Sequence, residues 1–197
     1  MICFRRLDHG INPSTFLEEI NAIDGIWHEH TGRQETAGVQ REALAIPIRG
    51  LRKSAQAGRA RRDVHESRWT SGSVRLPMTR YFLNQIAETE GSILGRAKIV
   101  CLPPGHKVYP HVDRGEYYRV RNRYHLILQS SGSWMRAGND EVRMRTGELW
   151  WFDNNAEHEA MNDGDTDRIH LIFDLLPRAL EHVVFGAAQA TLTQASG

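Results

Sequence analysis

Between Leu94 and Pro177 the chain breaks into short apolar runs, each closed by turn-forming residues, and this feature most narrows the possible folds. Lys98–Leu102 stops at Pro103-Pro104-Gly105, and Tyr124–Leu128 stops at Ser130-Ser131-Gly132. Ser133–Arg136 and Glu141–Met144 flank Ala137-Gly138-Asn139-Asp140, which reads as a hairpin turn. Gly147 precedes Glu148–Phe152, and Arg168–Leu175 ends just before Pro177. Many short strands at regular spacing fold into a sandwich or a small barrel, so the chain is read as mainly β with flanking helices.

The remaining segments read as support for that core. Asn12 and Pro13 suit the cap and first position of a helix whose buried face is Phe16, Leu17, Ile20 and Ile23. Ala43–Ile48 reads as a strand, placed at a sheet edge because of Pro47. Pro77–Glu90 reads as a second helix with Met78, Phe82 and Ile86 on one face. A last helix runs from Arg178 to Val184 and stops near Gly186. With 197 residues the chain suits one domain. Its expected parts are a β core over about 94–177, helical and strand support over 1–93, and a C-terminal helix within 178–190.

Residues 52–75 carry Arg52, Lys53, Arg59, Arg61, Arg62, Arg68 and Arg75 among Ser, Gly and Ala. The segment reads first as a long solvated loop, because Asp63 and Glu66 dilute its charge, and second as a basic patch for an acidic partner. As a long loop, residues 53–72 are expected to be mobile or to border the active-site mouth. The whole chain carries a net charge of +1, which argues against a protein built to grip nucleic acid. Cys3 and Cys101 are too few for a disulfide framework or a cysteine zinc site. The start of the sequence lacks a signal-peptide stretch, and no apolar run is long enough to span a bilayer. A soluble protein of a reducing cytoplasm, without a membrane partner, is the expectation.

The chemistry is sought in His111-Val112-Asp113. Residues i and i+2 of a strand point to one side, so an imidazole and a carboxylate converge there. His158 follows the run that ends at Trp151-Phe152-Asp153. Two histidines and one carboxylate on one face of a metal leave the opposite positions open, as in non-haem iron(II) oxygenases. Arg168 begins a later strand, ten residues past His158, where a guanidinium can take a ligand carboxylate through two parallel hydrogen bonds. His28-Glu29-His30 lacks a third ligand, and Asn162 replaces the second histidine that a zinc-protease motif starting at His158 requires. His65, His106, His170 and His182 have no identifiable partner in the sequence, and Trp150 and Trp151 are assigned to packing on opposite faces of their strand.

The segment Pro103–Asp113 resembles the first metal motif of the aspartyl/asparaginyl β-hydroxylase family, and Phe152–Asn162 is similar to its second. Arg123-Tyr124-His125, Arg168 and Asp174–Pro177 continue the match in order, over about residues 94–177. The resemblance implies a double-stranded β-helix, the jelly-roll or cupin-like fold, with Fe(II), 2-oxoglutarate as co-substrate and O2. It implies metal ligation by His111 and His158, and co-substrate binding by Arg168 and His125. Asp113 aligns the chain with the branch of the family that keeps a carboxylate. Arg123 shares the face of His125 and is a candidate for the substrate or co-substrate carboxylate; Arg119 and Arg121 are weaker substrate candidates. Ile99-Val100-Cys101 stands where the family can place a hydroxyl to assist the co-substrate carboxylate.

The leading expectation is therefore hydroxylation of an unactivated C–H bond of an aspartyl or asparaginyl side chain in a peptide or protein. The alternatives are a hydroxylase of a free amino acid such as proline, a non-catalytic cupin-like metal-binding or sensor protein, and a nucleic-acid oxygenase that uses the 52–75 arginines.

Overall fold

A computed structural model describes residues 2–29, 38–52, 54 and 56–186. Two antiparallel sheets form the molecule. In chain order the strands are β1 (Phe4–Asp8), β2 (Leu44–Leu51), β3 (Ser67–Trp69), β4 (Ser92–Leu102), β5 (Lys107–His111), β6 (Asn122–Gln129), β7 (Trp134–Ala137), β8 (Asp140–Arg143), β9 (Leu149–Phe152), β10 (His158–Met161) and β11 (Arg168–Pro177). The larger sheet runs β1-β9-β6-β11-β4-β2-β3 and the smaller β5-β10-β7-β8. This is the mainly β architecture expected from the spacing of the turns, and the double-stranded β-helix that the family resemblance implies.

Strand periodicity decides what faces what. On β6, Tyr124, Leu126 and Leu128 join a core with Leu171, Phe173 and Leu175 of β11, and with Ile99 and Cys101 of β4. Helices α1 (Ser14–Asn21) and α2 (Pro77–Thr89) cover that face with Phe16, Ile20, Leu83 and Ala87. The alternate residues face the smaller sheet. Ile127 and Phe152 pack there with Met135, Ala137 and Ala160. The same inward face also carries Arg123, His125, Arg168, His170 and Asp174, all buried. Buried charge between two sheets is costly unless it is paired or held for a ligand, so this face marks the site.

Several local expectations need correction. β2 is not an edge strand: it pairs with β4 on one side and β3 on the other. Pro47 is tolerated because it sits at a register shift and lies before the residues that β3 covers. β1 escaped the sequence reading because Phe4-Arg5-Arg6-Leu7-Asp8 has one buried residue; it is a polar edge strand added beside β9. β4 begins earlier than Lys98, so β1 to β3 and the start of β4 carry the large sheet well into the first 93 residues. On α2 the buried residues are Thr79, Leu83 and Ala87, with Phe82 and Ile86 half-buried and Met78 exposed. After a 3-10 turn at Arg178–Leu180, residues 181–186 are helical, and the expected continuation to 190 lies outside the described residues.

The hairpin Ala137–Asp140 forms as read, with Ala137 opposite Asp140 and Gly138 at φ 55° opening the two-residue turn. α1 begins one residue later than read: Pro13 is its N-cap, with no side-chain cap, and Asn12 before it accepts from the Ser14 N–H at 3.0 Å. The basic segment is not one long loop. It contains a 3-10 turn at Arg61–Asp63, strand β3 and a second turn at Gly72–Arg75. Arg96 holds its start, donating to the carbonyls of Arg61 and Val64, each at 2.8 Å. Among the described residues, no helix is long and apolar enough to cross a membrane.

Candidate metal centre and ligand cleft

The chain reverses after β4 at Pro103-Pro104-Gly105, with Gly105 at φ 76°. Asn162, fully buried at the end of β10, locks this turn by donating to the Leu102 and Thr166 carbonyls, both at 2.8 Å. The backbone of Asn162 also exchanges hydrogen bonds with Gly105 and His106. β5 is thereby laid antiparallel to β10, and His111 becomes the direct partner of His158. Their imidazole centroids are 4.2 Å apart. Asp113 lies two residues past the end of β5, so it does not share the strand of His111 as the i, i+2 reading expects; its N–H is bonded to the Asn154 carbonyl at 3.2 Å.

One ligand atom each from His111, Asp113 and His158 lie within 4.8 Å of one another, so the three can hold a metal ion. The donor set fits a divalent transition metal. His111 Nδ1 is 2.8 Å from the Tyr109 carbonyl and His158 Nδ1 is 3.0 Å from the Ala156 carbonyl. A carbonyl only accepts, so both protons sit on Nδ1 and both Nε2 lone pairs are free for a metal. Burial pushes the His158 imidazole down to about 4, which keeps it neutral and ligating at physiological pH. Asp113 is half-buried; burial raises its carboxyl, but Arg123, His158 and His111 outweigh this and hold it below the usual carboxylate range.

Arg123 was expected at a ligand carboxylate, and the structure engages it otherwise. Its Nε and Nη2 donate to Asp174 at 2.7 and 3.0 Å, and its Nη1 donates to Asp113. Arg123 is thus a strut between two carboxylates, one of them facing the metal position. Arg168 differs. It is 3% exposed, its Nε has no hydrogen-bond partner, and no carboxylate pairs with it among the described residues. Burial alone lowers its guanidinium to about 10. Arg168 lines the same cleft as His111, His125 and His158. His125 stands between Phe152 and His170 on that face.

This cleft opens into a cavity of about 450 Å³, with Lys98, Arg123 and Ile172 lining both. Arg49, Arg61, Arg62 and Arg96 add to its wall, and Asp174, committed to Arg123, is the only carboxylate among the described residues that line it. The basic segment therefore borders the site. It is held against the metal loop at Gly115, where φ is 117° and an added Cβ would meet the Arg62 carbonyl oxygen at 2.5 Å.

Other candidates lie elsewhere. Arg119 is exposed beside Glu116, and Arg121 is buried against His65 and the Tyr117 carbonyl. His65 thus has a partner that the sequence did not reveal. Trp150 and Trp151 pack into separate clusters on opposite faces. His28 ends a 3-10 turn, Glu29 pairs with Arg75, and His30 lies outside the described residues. Both cysteines are buried and unpaired with each other. The sequence gives His170 no partner and Asp174 no role; the period of two from Arg168 puts both on its face and is the available signal.

A double-stranded β-helix with two histidines and a carboxylate between its sheets defines the class that holds the non-haem iron oxygenases and the metal-binding cupins. Within that class the chain belongs to the aspartyl/asparaginyl β-hydroxylase family, whose model matches residues 51–177. It is 38% identical over 72 residues to L-proline cis-3-hydroxylase 1 from Streptomyces sp, a match covering 34% of this chain. The match spans 25% of that relative's own length. Among solved structures, a Trichoplax adhaerens prolyl hydroxylase in complex with a hypoxia inducible factor peptide fragment superposes with a TM-score of 0.58. That match is 12% identical and covers 89% of this chain and 84% of the other, which shows a shared fold. A 2OG-Fe(II) oxygenase family protein from Burkholderia pseudomallei matches at 11% identity over 68% of each chain, with a TM-score of 0.45.

Proposed function

We propose that this chain is an Fe(II)- and 2-oxoglutarate-dependent dioxygenase that hydroxylates an unactivated C–H bond of an aspartyl or asparaginyl side chain. The observation that carries the reading is Arg168, a buried guanidinium that no carboxylate among the described residues pairs with, in the same cleft as His111 and His158 of the metal cluster. An unpaired buried charge costs several kcal/mol, roughly, unless a ligand completes it. A purely metal-binding sensor would gain nothing from Arg168, whereas a dicarboxylate co-substrate needs such an anchor.

In this reading His111, Asp113 and His158 would hold iron, and Arg168 with His125 would take the far carboxylate of 2-oxoglutarate. Bound iron supplies the oxidative chemistry, by which O2 converts 2-oxoglutarate to succinate and CO2 while one oxygen atom is delivered to the substrate C–H bond. The protein's part is to orient and to exclude. Arg123 fixes the Asp113 carboxylate, and Phe152, in contact with both His125 and His158, keeps water from the interior side. The adjoining cavity, rich in guanidinium and poor in carboxylate, supports a substrate that carries a carboxylate of its own.

A second reading, hydroxylation of a free amino acid such as proline, is favoured by the identity to the proline hydroxylase. One experiment separates the readings. The protein is incubated with Fe(II), ascorbate and 2-oxoglutarate, and free amino acids and Asp- or Asn-containing peptides are screened by mass spectrometry for a gain of one oxygen. Oxygen gain on peptides supports the first reading and gain on free amino acids the second. Absence of both product and 2-oxoglutarate-dependent succinate returns the chain to the sensor reading.

A further inference from the structure

The reading above leaves His170 unused, although it is fully buried two residues past Arg168 on β11. Its Nδ1 lies 3.2 Å from Nδ1 of His125, with the rings near perpendicular at 80°. His170 Nε2 is buried and has no hydrogen-bond partner among the described residues. Burial first, and the nearby Arg168 charge second, hold both imidazoles far below their ordinary value, so both rings are neutral with one proton each.

Two neutral rings joined through Nδ1 and Nδ1 allow two proton arrangements. If His125 donates, the proton of His170 must sit on Nε2, where a buried N–H would have no acceptor and would lie in the field of Arg168. If His170 donates, its Nε2 carries only a lone pair, which that positive field favours. Orphaned buried N–H groups are rarer in proteins than under-satisfied acceptors. The second arrangement wins on both grounds. It leaves His125 accepting at Nδ1 and protonated at Nε2.

We infer that His170 is a positioning residue: it fixes the tautomer of His125 so that an Nε2–H, not a lone pair, is offered to the ligand carboxylate beside Arg168. The point rests on the reading of the cleft as a 2-oxoglutarate site. A carboxylate only accepts, so a lone pair at His125 Nε2 would repel the anion that Arg168 attracts. His170 thereby decides the sign of the contact without touching the co-substrate.

The test is two-bond ¹H–¹⁵N correlation spectroscopy of the full chain with ¹⁵N-labelled histidines, loaded with Zn(II). Wild-type His125 is expected to show a protonated Nε2 and an unprotonated Nδ1. His170→Asn, whose amide nitrogen can replace Nδ1 as donor, should keep that pattern; His170→Phe should lose it and raise the 2-oxoglutarate Kd about tenfold or more, as expected for a charge-assisted hydrogen bond lost. A wild-type His125 protonated at Nδ1 would overturn the inference, and that spectrum needs no variant to fold. So would His170→Phe with an unchanged His125 tautomer. If the tautomers are as stated but 2-oxoglutarate does not bind wild type, the functional reading fails and the tautomer assignment stands.

Discussion

His111 and His158 are direct partners across the β5–β10 pairing, and each gives its Nδ1–H to a carbonyl two residues earlier in its own chain segment, Tyr109 and Ala156 respectively. The two rings are thus aimed by the same local device from opposite strands, and their Nε2 atoms converge on the side where Asp113 lies. A metal held there would take one ligand atom from each of His111, His158 and Asp113, with the Asp113 carboxylate fixed by Arg123.

His158→Ala should abolish both iron binding and turnover, because the two remaining ligands leave the ion weakly held. Metal content after dialysis and succinate release report the two separately. Iron affinity equal to wild type in this variant would remove His158 from the ligand set.

Arg168→Ala should raise the apparent constant for 2-oxoglutarate about ten- to a hundredfold, each decade being about 1.4 kcal/mol. Iron binding should stay nearly intact. Arg168→Lys should recover only part of the loss, since an ammonium keeps the charge without the planar fork. The measurement is succinate release against 2-oxoglutarate concentration. Because Arg123 is already held by Asp113 and Asp174, unchanged dependence in Arg168→Ala would require the anchor to be a group other than either arginine.

Asp174→Ala removes one end of the Arg123 strut and leaves a buried guanidinium with Asp113 alone. Breaking a buried pair from one side costs about 3–5 kcal/mol. Urea unfolding should show that loss, and metal affinity should fall as well, because Asp113 loses its fixed orientation. A variant as stable as wild type, with unaltered metal affinity, would show that the strut does nothing.

The metal-free protein should lose stability as pH falls from about 6.5 toward about 4. The His158 imidazole is held down at about 4 by burial, so within that window the unfolded chain binds a proton that the native chain refuses. Stability contributed this way is fully present above the unfolded value and declines below it. His125 and His170, lowered in the same direction, add to the slope. Denaturant midpoints at a series of pH values check this, and midpoints that do not fall over the window would contradict it.

Much of this molecule is written locally. The turn at Pro103-Pro104-Gly105, the hairpin at Gly138 and the period of two on β6 and β11 follow from side-chain and backbone sterics, and they give the mainly β fold without reference to distant residues. The spacing of His111 and Asp113, with His158 following, pointed to a metal set for the same reason. What sequence could not decide was partnership. Arg123 and Arg168 have equal chemistry and both face inward from buried strands, yet among the described residues one is bound by two carboxylates and the other by none. His170 has no neighbour in sequence that explains it and acquires one from β6. Pairing between strands sets these contacts through register, and register depends on how both sheets pack at once. The sequence by itself therefore determined most elements of the β core and the kinds of groups they carry, but not the added strands β1 and β3. Only the tertiary structure decided which charges are cancelled and which buried donor is left for a ligand.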